Sequence, residues 1–233
     1  MKLVSSKVSS MNEYVAGADG TIYSLIIDIS DIDHIAREML DALRDTSWVE
    51  KLDIIDKLAY EARAEPTIER LSNAITNRVE DEITAEFGEY MVSISSQVAL
   101  ENHLDHLRLP LADLIKEKVA GNPAFDFHTQ TPTELINFGE AKYSGVNNRY
   151  SEALDQIINF IQQEKDIREL SDLRKFVCEN AVENAAIGNK SYCAAFSIVS
   201  NNKKMIMNNA LTHTLVEQLC VYDELYLIGI CVA

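Results

Sequence analysis

Asp126, Glu140 and Lys142, in the middle of the chain, have the side-chain types and the spacing to do chemistry on a charged substrate. Asp126 stands among aromatics in Phe125-Asp126-Phe127-His128-Thr129-Gln130. Glu140 and Lys142 close the run Leu135-Ile136-Asn137-Phe138-Gly139-Glu140-Ala141-Lys142-Tyr143. Both runs have strand character, and the link 129–133 holds Pro132, so the pair predicts a β-hairpin. Side chains two apart on a strand share a face, which puts Glu140 beside Lys142. Two carboxylates can hold a hard divalent cation through their oxygens, and a lysine brings a compact positive charge to a phosphate or an attacking water. Such a set is costly as core and useful as a site. Glu140-Ala141-Lys142 is also the only Glu-x-Lys in the 233 residues.

The elements that must hold these residues follow the period of the apolar positions. Residues 1–19 are polar and small, and the first expected strand is 21–29. Ser30 or Asp31 caps a helix carrying Ile32, Ile35, Met39, Leu40 and Leu43. A second helix follows Thr46-Ser47, and Pro66 is expected to start a third, with Ile68, Leu71, Ile75 and Val79 inward. Residues 82–104 predict a further helix, on which Glu86 and Glu89 share a face. His103 and His106 could share a metal, but no third ligand stands near them, and a polar helix end is the plainer reading. Residues 111–119 are expected to form a first core strand or an irregular lead into one, with Lys116 and Lys118 within reach of a phosphate. His128, two residues after Asp126, either assists the site or packs. Helices are then expected over 149–163, from Asp166 or Ser171 to Ala186, and over 208–219, and strands over 192–199 and 222–232. There is no glycine-rich phosphate loop and no internal repeat. The domain expectation is an N-terminal strand and helices over 1–81 packed on a core domain over 82–233.

Composition bounds the partners. Thirty-seven Asp and Glu against 21 Lys and Arg give a formal charge of −16, opposite to that of a free-standing nucleic-acid binder. The chain is expected to need a partner that presents its substrate, or to dock on a basic partner through its own acidic surface. Cys178, Cys193, Cys220 and Cys231 show no C-x-x-C spacing, and buried free thiols point to a reducing compartment. No apolar run is long enough for a membrane span or a signal peptide, so the expectation is a cytoplasmic protein without membrane contact.

An acid on one strand and Glu-x-Lys on the next resembles the PD-(D/E)xK nuclease superfamily. Phe87-Gly88-Glu89, Phe125-Asp126-Phe127-His128 and Phe138-Gly139-Glu140-Ala141-Lys142-Tyr143 together are similar to the HamA family, the nuclease subunits of bacterial Hachiman antiphage defence systems. The resemblance covers roughly residues 84–165, and no proline precedes Asp126. It implies an α/β (α+β) fold with a mixed sheet, a core in αβββαβ order and an N-terminal helical extension. It further implies a Mg²⁺-dependent DNA endonuclease (Mn²⁺ being possible in its place), held in check and supplied with DNA by a superfamily-2 helicase subunit of the HamB kind. On this resemblance the metal is held by Asp126, Glu140, the helix glutamate Glu89 (with Glu86 as fallback) and the carbonyl of Ala141. Lys142 orients the attacking water, and Gln156, with Tyr150, stands beside the site from the following helix. The competing readings are a catalytically inactive nuclease-fold adaptor for a helicase and a stand-alone restriction or repair nuclease.

Overall fold

A computed structural model describes residues 1–76, 83–115 and 124–232, with side chains throughout except at residues 63, 64 and 74. Among these residues seven strands form one sheet in the order β1-β2-β7-β6-β5-β4-β3. They are β1 (Lys2–Ser10), β2 (Thr21–Ile29), β3 (Leu107–Arg108), β4 (Phe127–Gln130), β5 (Ile136–Lys142), β6 (Ser191–Ile198) and β7 (Glu224–Val232). β5, β6, β7 and β2 run parallel, and β1, β4 and β3 add antiparallel edges. The result is a mixed α/β sheet whose parallel centre is buried on both faces.

The parallel strands explain the layering, because each crossover lays a helix on a face of the sheet. One face is covered by α3 (Ala85–Leu104), with α1 (Ile32–Arg44), α2 (Ile54–Thr76) and α4 (Ala112–Ile115) in the same core. The other carries α5 (Tyr150–Gln162), α6 (Lys165–Leu173), α7 (Glu179–Ala186), α8 (Lys203–Leu211) and α9 (Thr214–Leu219). Strand alternation divides the side chains: Ile136 and Phe138 of β5 pack with Leu154, Ile157 and Phe160 of α5, whereas Ala141 lies with Phe87 and Met91 of α3. Among the described residues no helix is long and apolar enough to cross a membrane.

Several expected elements fall as read. Asp31 caps α1 with a 2.8 Å bond from the His34 N–H, and Thr84 caps α3. The 127–130 and 136–142 runs pair antiparallel, and β7 ties the C-terminal segment between β2 and β6. Other elements differ. Residues 2–10 form a strand, despite their polarity, because β1 is an edge strand that needs no apolar face on its outer side. Pro66 does not begin a helix: α2 runs through it from Ile54 to Thr76, after a 3-10 turn over Ser47–Lys51. In the described part of the strand or irregular lead expected over 111–119, residues 112–115 form helix α4, and the neighbour of β4 is the two-residue β3. Lys116 and Lys118 lie outside the described residues, as does Val79. The helix expected from Asp166 or Ser171 to Ala186 is two helices, α6 and α7, and that over 208–219 starts at Lys203 and breaks at His213, which caps α9. The sheet also crosses the expected boundary at 81/82, since β2 is hydrogen-bonded to β7 along its whole length.

Candidate active site at the end of the hairpin

Two glycines let this site assemble. Gly139 faces Phe127 across the hairpin, and a Cβ there would lie 2.3 Å from the Phe127 ring. A Cβ on Gly88 would lie 2.1 Å from the ring of Tyr143, so its absence brings α3 down against the end of β5. Glu89 is the next residue after Gly88, and Lys142 the residue before Tyr143. The close approach therefore sets the distance between helix and strand where both carry charge.

Asp126 sits at the bend immediately before β4. Its N–H donates to the Gly139 carbonyl at 2.9 Å, and its Oδ2 accepts from the Ala141 N–H at 2.9 Å. The backbone of β5 thus fixes the carboxylate beside Glu140. Glu140 is buried: Oε1 accepts from Lys142 Nζ at 2.5 Å, while Oε2 is buried with no hydrogen-bond partner among the described residues. Lys142 Nζ also lies 3.3 Å from the Ala141 carbonyl oxygen. Burial pushes the Glu140 carboxyl well above the usual carboxylate range, and the neighbouring Asp126 adds to it, against the pull of Lys142. Burial alone would lower the Lys142 ammonium, but Glu140, Asp126 and Glu89 outweigh it and hold it above the ordinary lysine value. One ammonium faces two carboxylates, and the excess negative charge is what a further cation would neutralise.

Asp126 also opens on a cleft of about 190 Å³ lined by Glu86, Glu89, Tyr90, Ser93 and Asp113. At its mouth Arg70 of α2 donates to Glu86 at 2.6 Å, to the Tyr90 hydroxyl at 3.3 Å and to Asp113 at 3.2 Å, and Tyr90 donates to Asp113. Glu86, the fallback helix ligand, is thus exposed and tied to Arg70. Glu89 lines the same cleft as Asp126, and its charge acts on Lys142.

On the other face His128 is fully buried, with Nε2 2.7 Å from Glu169 Oε2 and its ring edge-on to Phe138. Glu169 of α6 also accepts the Phe125 N–H at 3.2 Å, so one carboxylate grips both flanks of Asp126. His128 is therefore an anchor of the strand. Gln156 is half-buried on α5 and forms no hydrogen bond to Asp126, Glu140 or Lys142 among the described residues. Tyr150 packs its ring on Phe196 and His213. His106 is drawn into the α3 core, with Nδ1 2.9 Å from Thr129 Oγ1, and does not share a site with His103.

Arg70, Tyr90, Asp113 and Glu169 were not legible as parts of the site. Glu169 alone left a signal: Lys165, Asp166 and Glu169 fall with Leu173 on the inward stripe of α6, where apolar residues are the rule. The others come together from separate elements.

Among the described residues no group of three or more His, Cys, Asp and Glu side chains is gathered to hold a metal ion. Mg²⁺, however, is commonly held by one or two carboxylates together with waters and substrate oxygens. The Asp126–Glu140 pair, the buried Glu140 oxygen and the nearby Ala141 carbonyl fit that smaller requirement. Protein-family models, curated proteins and solved structures contain no match to this chain.

Proposed function

We propose that the chain is a metal-dependent DNA endonuclease of the PD-(D/E)xK type, the HamA-like effector of an antiphage defence complex. In this reading a superfamily-2 helicase subunit (HamB-like) restrains it and supplies its DNA. The observation that carries the reading is the convergence of Asp126, Glu140 and Lys142 at one end of the hairpin, with a buried Glu140 oxygen that has no hydrogen-bond partner among the described residues. The succession α3, β3, β4, β5, α5, β6 also supports it, with β3–β4–β5 antiparallel and β6 parallel to β5, although α4, α6 and α7 interrupt the run.

Bound Mg²⁺ or Mn²⁺ would supply Lewis-acid polarisation of the scissile phosphate and a more acidic water. Asp126, Glu140, the Ala141 carbonyl and, from across the cleft, Glu89 are the residues that would hold it. The remaining work belongs to the chain. The Ala141 N–H keeps the Asp126 carboxylate oriented, and burial keeps Glu140 from reorganising. Lys142 stays protonated at neutral pH, because the surrounding carboxylates hold it above the ordinary lysine value. Released from Glu140, its ammonium can orient the attacking water or stabilise charge developing on the phosphate. The acidic surface weakens binding of free DNA, which is why the reading includes a partner.

Cleavage of plasmid and linear DNA with Mg²⁺ tests this, for the protein and its Glu140→Ala/Lys142→Ala variant, each alone and with the helicase subunit. Cleavage that requires Mg²⁺ and is lost in the variant is the expected result. Absence of cleavage in every combination, with the variant still functional in cells, would overturn it in favour of the inactive adaptor.

A further inference from the structure

The outer face of α2 carries an arrangement that nothing in the site accounts for. Ile54, Ile55 and Leu58 are 74, 70 and 58% exposed at the start of the helix, a concentration of large apolar side chains in water. Isolated exposed apolar residues need no explanation, but a cluster on one helix face marks a surface that something else covers. At 100° per residue the same stripe continues through Glu61, Ala62, Glu65, Pro66 and Glu69, all of them exposed. No lysine or arginine falls on the stripe. Glu61–Glu65 and Glu65–Glu69 are like-charged pairs at i,i+4, an arrangement that works against the helix carrying it. The opposite side of α2 is ordinary core: Tyr60, Leu71 and Ile75 are buried.

We propose that this stripe is the docking surface for a protein partner whose contacting segment is an amphipathic helix, apolar along its centre and rimmed by lysine or arginine. The apolar end supplies the buried centre of the interface, and the glutamates supply charge complementarity at its rim. The same complementarity excludes the other occupants. A second copy of this chain would bring its own glutamates and a charge of −16 against the stripe, and a nucleic acid would bring phosphates. The stripe lies on the helix whose Arg70 ties into Glu86 and Asp113, so a partner seated on it stands one helix away from the cleft. The inference does not depend on the hydrolytic reading, since binding is measured without DNA or metal.

The test uses the full chain and two dye-labelled helical peptides, one of leucine and lysine and one of leucine and glutamate, followed by fluorescence anisotropy. The leucine–lysine peptide is expected to bind, more weakly as salt rises, and the leucine–glutamate peptide not to bind. Ile55→Asp/Leu58→Asp separates docking from bare charge attraction. This variant is more acidic than the parent, so charge alone predicts tighter binding, whereas docking predicts a loss of about tenfold or more. Glu65→Lys/Glu69→Lys should weaken the same peptide. All four positions are exposed, and unchanged circular dichroism will show that the variants fold. Failure of the parent to bind the leucine–lysine peptide, or equal or tighter binding by Ile55→Asp/Leu58→Asp, would overturn the proposal. So would a dimer of the parent that Leu58→Asp dissolves, which would assign the face to a second copy.

Discussion

Replacing Gly88 by alanine tests the contact on which the candidate site depends. In an exposed helix interior this change stabilises by about 1 kcal/mol, because glycine loses more backbone freedom on folding. Here the new Cβ would fall 2.1 Å from the Tyr143 ring, more than 1 Å inside an ordinary contact, so ring or helix must move. Overpacking of that kind costs about 1–3 kcal/mol, which leaves a net destabilisation of roughly 0–2 kcal/mol. In a Tyr143→Ala background the obstruction is gone, and the same substitution should stabilise by about 1 kcal/mol. Urea denaturation of the four proteins in the cycle reads the difference, an expected coupling of about 1–3 kcal/mol. Because Gly88 precedes Glu89 and Tyr143 follows Lys142, any cleavage activity should fall in Gly88→Ala by more than its stability alone explains. Equal stabilisation by Gly88→Ala with and without the Tyr143 ring would refute the reasoning, because α3 would then not be held against β5 through this pair.

Two further outcomes are expected. His106 is buried in the α3 core, and burial pulls its pKa from 6.5 to about 4. Between those values the unfolded chain takes up a proton that the folded chain refuses, so stability is fully present above pH 6.5 and falls as the pH drops towards 4. The gap corresponds to about 3 kcal/mol, and His106→Gln should flatten that limb of the urea midpoint against pH while lowering its neutral plateau. Glu169→Ala removes the bonds to His128 and to the Phe125 N–H and should cost about 3 kcal/mol or more in urea denaturation. A loss below about 1 kcal/mol would show that α6 does not anchor the strand behind Asp126.

The sequence by itself determined the hairpin and its charges. Alternation on 136–142 put Glu140 and Lys142 on one face before any contact was known, and Pro132 marked the turn. The Phe-Gly-Glu of α3 foretold the close approach of helix and sheet, since glycine removes the one atom that would prevent it. Periodicity also gave α1, α3, α5 and the buried β6 and β7, because patterns repeated over several turns or strand residues average out local ambiguity. Tertiary structure decided the rest. Polar β1 became a strand only because β2 offers it an edge, and α2 continues through Pro66 although local propensity argues for a break there. The upward push on the Glu140 carboxyl arises from burial and from Asp126 across the hairpin. Arg70, Tyr90, Asp113 and Glu169 enter the site from four different helices, α2, α3, α4 and α6. No spacing within one stretch of chain encodes such a meeting, because packing brings those helices together over distances that local periodicity does not reach.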